Sequence, residues 1–245
     1  MTSPVTTINR IGHFGHVQIG RGEEILATLH LGDAYAIRPS LGFIDCDVTD
    51  PPFLLRTSGG GRYRKARKSM SEIADAGIDD GFDLAIFNTL QCGSVVCFCH
   101  NDQLPTVLPA LAGQFHRFAL LDWTKANPQP VANKHYRPDR EFYIHAWNKG
   151  FHPQGDLADK GRSITAAPDR SLKKRFEHPT IKPPAVMDKI MRNITGETVC
   201  DAFMGTGSTG VAAIQAGKRF IGIERDARWF EAAVTRISEA VEALD

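Results

Sequence analysis

An aspartate followed at once by two prolines and an aromatic ring, Asp50-Pro51-Pro52-Phe53, closes the apolar run "LGFIDCDVTD". Proline has no amide hydrogen for a sheet ladder and drives the residue before it into extended geometry. The pair therefore ends a strand and holds the Asp50 carboxylate at its tip. The Pro51 carbonyl, aimed by its own rigid ring, is a second acceptor beside it. Taken alone, this is a rigid loop whose acid is either solvated or catalytic. A second set of residues lies far downstream, where Gly205, Gly207 and Gly210 form G-x-G-x-x-G after the run "TVCDAF". Glu224 ends the next apolar run, "KRFIGIE". Such glycines let a ligand approach the backbone closely, and an acid at the following strand tip accepts hydrogen bonds from both ribose hydroxyls. The pattern describes a nucleotide-type site; by itself it does not separate a nicotinamide dinucleotide from S-adenosylmethionine.

These groups need strands and helices to bring them together. The C-terminal part, Thr198 to Leu244, parses as strand, glycine turn, helix, strand, helix. The first helix runs to Ala216 with Gly217 as its cap, and the last starts near an Asp226 N-cap. After Glu224 there is room for one helix before Asp245, so the other strands are expected from N-terminal residues, with "LGFIDCDVTD" and "SVVCFC" among them. Ligands of open α/β sheets sit at the carboxyl ends of strands. Asp50 and the Gly205 turn both follow strand ends and can face one crevice.

Composition supports one soluble α/β domain over residues 1–245: hydrophobic residues make up 42% and charged residues 23%, and the net charge is +1. No run reaches the roughly 18 apolar residues of a membrane span, and no basic-then-apolar leader opens the chain, so a cytoplasmic protein away from membranes is expected. The five cysteines are expected as reduced thiols. Cys92, Cys97, Cys99 and His100 lack a zinc-type spacing; strand alternation puts Cys97 and Cys99 on one face as core residues. No metal is expected. His13 and His16 read as an ordinary local pair, and Trp123 and Trp147 as core or rim packing.

Taken together, "DPPF", "HPTIKPPAVMDKIM" and "DAFMGTGSTG" resemble the amino-methyltransferases of DNA in the beta-class order, in which the catalytic motif precedes the cofactor motif. "HLGDA", "LDWTKANPQP" and "REFYIHAWNKG" also fall in the family's order. The resemblance implies a Rossmann-like S-adenosylmethionine-dependent methyltransferase fold, with a mostly parallel seven-stranded sheet, helices on both faces and a permuted motif order. It implies Asp50, Pro51, Pro52 and Phe53 as the catalytic tetrapeptide. For the cofactor it implies Asp201, Phe203, Met204, Gly205, Thr206, Gly207, Ser208 and Thr209 around the turn, with Glu224 on the ribose. His178 and Lys182 fall on the motif that closes over the methionine end, and Asp33 matches an acid near the target base. The family's usual catalytic tyrosine is here Phe53, which keeps the ring and loses the hydroxyl. The stretch between "NKG" and "HPT" is short, so target recognition is expected in a reduced segment, residues 149–177.

The chemistry so implied is methylation of the adenine amino group, N6, in DNA. That nitrogen's lone pair is delocalised into the ring, and acceptors on its two hydrogens would return density to it. Asp50 and the Pro51 carbonyl supply them, Phe53 stacks on a flipped base, and the rest is alignment and electrostatics. No Pro-Cys dipeptide for attack on a cytosine ring carbon is present. Aspartate before the prolines favours adenine over the cytosine amino group. Phosphate grip is expected from Arg62, Arg64 and Lys65, with Arg56, Arg67 and Lys68 around them, and from Lys173, Lys174 and Arg175. A homodimer is compatible with the chain. Rival readings are a cytosine-N4 or RNA amino-methyltransferase, a nicotinamide-dependent oxidoreductase, which leaves "DPPF" and "HPTIKP" unexplained, and an inactive nucleic-acid-binding module.

Overall fold

The computed structural model describes residues 6–11, 15–53, 81–128, 136–176 and 181–244. Among these residues ten strands form one sheet in the order β1-β2-β3-β10-β9-β4-β5-β7-β6-β8. In chain order they are β1 (Thr6–Ile11), β2 (His16–Arg21), β3 (Glu24–Leu31), β4 (Ile44–Thr49), β5 (Cys92–Cys99), β6 (Arg117–Lys125), β7 (Arg140–Trp147), β8 (Ser163–Ala166), β9 (Thr198–Asp201) and β10 (Arg219–Glu224). The sheet is larger than the expected seven strands. Seven neighbours from β3 to β6 form a continuous core in which only β7 runs against the rest. The β1–β2 ribbon extends one edge, and β8 extends the other.

Among the described residues six α-helices accompany the sheet: α1 (Ala34–Ile37), α2 (Leu104–Gln114), α3 (Arg170–Phe176), α4 (Pro184–Asn193), α5 (Ser208–Gln215) and α6 (Ala227–Glu242). β5 explains why helices must cover both faces. All of its residues are buried; Val96 and Phe98 join the core under α4, α5 and α6, whereas Val95, Cys97 and Cys99 join the core under α2. A strand covered on both sides reads as an unbroken apolar run, as this one does. The five cysteines are free and buried, with Cys97 and Cys99 sharing a face as expected. Trp123 is buried and its indole N–H donates to the Ala166 carbonyl, tying β6 to β8.

The C-terminal unit folds as its sequence reads. Asp226 caps α6 by accepting from the amides of Arg228 and Trp229. On that helix Phe230, Ala233, Val234, Ile237 and Val241 recur at three- and four-residue spacing and are buried. Gly217, at φ 70°, ends α5 with its amide on the Ile214 carbonyl. Among the described residues no helix is long and apolar enough to cross a membrane.

β9 leads through α5 to β10 on one side, whereas β4, its other neighbour, leads toward β5 on the opposite side. This is a topological switch point, where the connections diverge and leave a crevice at the strands' carboxyl ends. Asp50 follows β4 there, and the glycine turn follows β9.

Candidate active site

A cavity of about 470 Å³ opens at this switch point, within the range of small-ligand sites. Gly32, Asp33 and Tyr35 line it beyond β3, Glu224 and Asp226 beyond β10, Phe203 to Thr206 beyond β9, and Asp50 to Phe53 beyond β4. Lys182, Ser208 and Thr209 complete the wall.

Asp201 is the hub that joins the two halves. Its Oδ1 accepts from the Thr49 hydroxyl (3.1 Å) and the Phe203 amide (3.0 Å), and its Oδ2 from the Thr209 hydroxyl (2.6 Å). One carboxylate thus binds the last residue of β4, the glycine turn and the first turn of α5. Burial lifts its pKa to about 7 even against these donors.

The turn is held from behind. Arg236 on α6 donates from Nη1 to the Thr206 carbonyl and hydroxyl, both at 2.8 Å, and to the Ser208 hydroxyl at 3.2 Å. Gly207 does not line the cavity. It stands as the N-cap of α5 at φ 79°, packed against Ala233 and Ile237. A side chain on Gly210 would lie 2.5 Å from Ile237 Cδ1, so its absence sets how closely α6 approaches. Glu224 accepts from the Gly205 amide through Oε2 and the Asp226 amide through Oε1, each at 2.8 Å. Burial pushes its pKa up, opposed by these amides.

Asp50 occupies the other end. Its Oδ2 accepts from Lys182 Nζ at 2.5 Å, while its Oδ1 is buried and without a hydrogen-bond partner among the described residues. Burial raises its pKa more than Lys182 lowers it. The Pro52 carbonyl is taken by Gln103 Nε2 at 3.1 Å, which fixes the loop from the turn after β5. His100 lies 6.1 Å from the Phe53 ring, centroid to centroid.

Lys182 and Asp33 stand at opposite ends of the cavity. Lys182, expected at the methionine end of a cofactor, lies in the cavity wall between Asp50 and Glu141, where two carboxylates compensate a buried ammonium. Asp33, expected beside the target base, follows β3, three strand positions from β4, or about 14 Å at ordinary strand spacing. It sits at the Glu224 end, where the Gly32 amide donates to the Glu224 carbonyl, and it caps α1 by accepting from the Tyr35 amide.

Of the basic candidates, Lys174 and Arg175 have described side chains, and neither lines the cavity. Arg175 pairs with Glu239 at 2.5 Å on the exposed side of α6, and Lys174 is exposed on α3. The Lys173 side chain lies outside the described residues, as do His13, Arg56, Arg62, Arg64, Lys65, Arg67, Lys68 and His178. Phe53 and Gly81, which bracket the first basic stretch, both line the cavity. In segment 149–177, Gln154 and Asp159 are tied to Asn193, Lys189 and Arg192 at the end of α4, on the amino side of β9. His16 stacks on His30 across β2 and β3, with ring centroids 4.7 Å apart.

Thr49, Gln103, Glu141 and Arg236 were not singled out by sequence. Glu141 stands in a stretch noted only for its order, and Gln103 carries a capping-box signal shared with many ordinary turns. Thr49 and Arg236 carry no such signal. Among the described residues no group of His, Cys, Asp and Glu could hold a metal ion.

A protein-family model of N6/N4 methyltransferases, described as DNA methylase, matches residues 44–235. The chain is similar to the Type II methyltransferase M2.LlaDCHI of Lactococcus lactis subsp. cremoris, 28% identical over 137 residues, 49% of this chain and 50% of that protein. It is 30% identical over 139 residues to the Type II methyltransferase M2.DpnII of Streptococcus pneumoniae, covering 48% and 49% of the two chains. It thus spans about half the length of the curated relatives it matches. Among solved structures, the M1.HpyAVI-SAM complex superposes with a TM-score of 0.64 at 24% identity, over 86% of this chain and 98% of that one. PvuII DNA methyltransferase, cytosine-N4-specific, superposes at 0.61 and 16% identity, over 89% and 86%. At these identities the likeness is one of fold.

Proposed function

The chain belongs to the DNA methylase family, matched over residues 44–235, and from that premise we propose that it transfers the methyl group of S-adenosylmethionine to the N6 amino group of adenine in DNA. One observation carries the reading: Asp50 presents a cavity-wall carboxylate whose Oδ1 is buried without a partner, while Lys182 holds Oδ2. A buried acceptor left unpaired is costly, and an amino hydrogen of a bound base would satisfy it. The Pro51 carbonyl accepts the second hydrogen, and Phe53 stacks on the base face.

The residues at the opposite end fit the cofactor. Glu224 is a carboxylate at the tip of β10, held by backbone amides and lining the cavity, and is the acceptor suited to ribose hydroxyls. Asp33, Tyr35 and Phe203 surround the space beyond it, with Asp33 as the acceptor suited to an amino group on the cofactor's adenine. The bound cofactor supplies an electrophilic methyl group whose departure leaves a neutral thioether. The protein's own part is alignment: Asp201 locks the cofactor turn to the strand that carries Asp50, so both reactants share one frame.

We assign DNA as the polymer and the cytoplasm as the compartment, with the whole chain as one catalytic domain. Segment 149–177 is the portion we assign to target recognition, together with phosphate contacts from the basic stretches. Tritiated methyl transfer to DNA and to RNA, followed by nucleoside analysis, tests the proposal. N6-methyldeoxyadenosine from DNA is the expected product. N4-methylcytosine would replace the base assignment, transfer to RNA alone would replace the polymer, and no transfer to either would refute the proposal.

A further inference from the structure

Among the described residues Lys182 is the most enclosed cation of the cavity wall, with its side chain 6% exposed. It lies between two acids, with Asp50 Oδ2 at 2.5 Å and Glu141 Oε2 at 3.3 Å. Its ammonium is walled by two rings, 4.7 Å from the Phe98 centroid and 5.3 Å from that of Phe53. Glu141 is itself held by Lys125 through Oε1 at 2.8 Å. Four alternating charges, Asp50, Lys182, Glu141 and Lys125, thus run from the reacting end of the cavity to the ends of β7 and β6. None of the proposed chemistry uses Glu141 or Lys125.

We propose that Glu141 is a positioning residue for Asp50, acting through Lys182: it draws the ammonium to one side, so that Lys182 holds Oδ2 and leaves Oδ1 open to the substrate amino group. This rests on the reading of Asp50 as the amino-group acceptor. A lysine ammonium is a compact charge on a flexible stem. Facing Asp50 alone, it would settle between both carboxylate oxygens. Facing two acids on opposite sides, it is shared. The pairing also holds the charge states in place. Burial alone would lower the Lys182 pKa, but Asp50 and Glu141 outweigh it and raise it; burial would raise that of Glu141, but Lys182 and Lys125 outweigh it and lower it. The other titratable groups around Asp50 are Asp201 on β9 and the thiols of Cys97 and Cys99 on β5, each shifted upward in part by the Asp50 charge. None of these is a cation that could replace Lys182.

The test needs no turnover for its first arm. In the full-length chain without cofactor, carboxyl carbon NMR follows the Asp50 titration, assigned by its loss in Asp50→Asn. Glu141→Gln removes a negative charge and lets Lys182 close on Asp50, so the Asp50 midpoint should fall. Lys182→Gln removes the cation, and the midpoint should rise; Lys182→Arg should stay on the parental side of that change. In the second arm, Glu141→Gln should lower kcat by about tenfold to a hundredfold, the scale of a misplaced reacting group, while KM for S-adenosylmethionine stays within about twofold. An Asp50 midpoint unmoved or raised in folded Glu141→Gln overturns the proposal, as does parental kcat in that variant. A parent that transfers no methyl to DNA sinks the functional reading instead, and the NMR arm still decides whether Glu141 governs Asp50. If Lys182→Gln fails to fold, Glu141→Gln, which leaves Lys182 paired with Asp50, is decisive alone.

Discussion

Replacing Asp50 by alanine should separate catalysis from cofactor binding, and the structure sets the size of each effect. The substitution removes the one buried acceptor of the cavity wall that has no partner among the described residues. Lys182 keeps Glu141 at 3.3 Å, and Gln103 keeps the Pro52 carbonyl, so the lost partner leaves no isolated charge and the loop stays anchored. The Asp50 hydrogen bond strengthens as the amino nitrogen gains positive charge, so its loss falls mainly on the transition state. Removing one preorganised group of this kind costs about 2.7–4 kcal/mol, roughly 10²–10³ in kcat. The residues proposed to hold the cofactor lie instead at the ends of β9 and β10, so the dissociation constant for S-adenosylmethionine should change by less than about threefold, as expected for separated sites. Single-turnover transfer of tritiated methyl to DNA reads the first quantity, and titration calorimetry reads the second. Methyl transfer by Asp50→Ala at the parental rate would refute the assignment of Asp50. An equal collapse of cofactor binding would show that Asp50 belongs to the cofactor site.

The complementary substitution, Glu224→Ala, should weaken S-adenosylmethionine binding by about tenfold or more through lost hydrogen bonds to a carboxylate, with kcat at saturating cofactor much less affected; unchanged affinity in calorimetry would remove Glu224 from the ribose. Gly210→Ala would place its new carbon 2.5 Å from Ile237 and 2.7 Å from Phe220, and thermal melts should show a loss of about 1–3 kcal/mol from overpacking. Stability should also carry a signature of Asp201, whose pKa rises from the ordinary 3.8 to about 7 through burial. The folded chain holds that proton while the unfolded chain releases it, so the stability present below about pH 4 is lost as pH rises through 7. Asp201→Asn cannot titrate, so urea melts at acidic and neutral pH should show the variant gaining on the parent as pH rises; parallel curves would contradict the shift.

The sequence by itself determined the local parts of this protein. Two prolines can end a strand in few ways, which placed Asp50 at a tip; the glycine turn, the Gly217 cap and the Asp226 cap are likewise set by backbone geometry within a few residues. The double-sided burial of β5 was legible because alternation and an unbroken apolar run are local patterns. Tertiary structure alone decided which distant groups meet. The order of strands brought Asp50 beside Asp201 and moved Asp33 three strands away, to the Glu224 end. It enlarged the sheet from seven strands to ten, because β1, β2 and β8 pair at edges whose register no short motif encodes. Lys182 is legible from its motif as a site residue, whereas its partners Asp50 and Glu141 come from elements 132 and 41 residues earlier in the chain. Electrostatic energy in a buried site depends on such separations in space, and spacing along a sequence does not contain them.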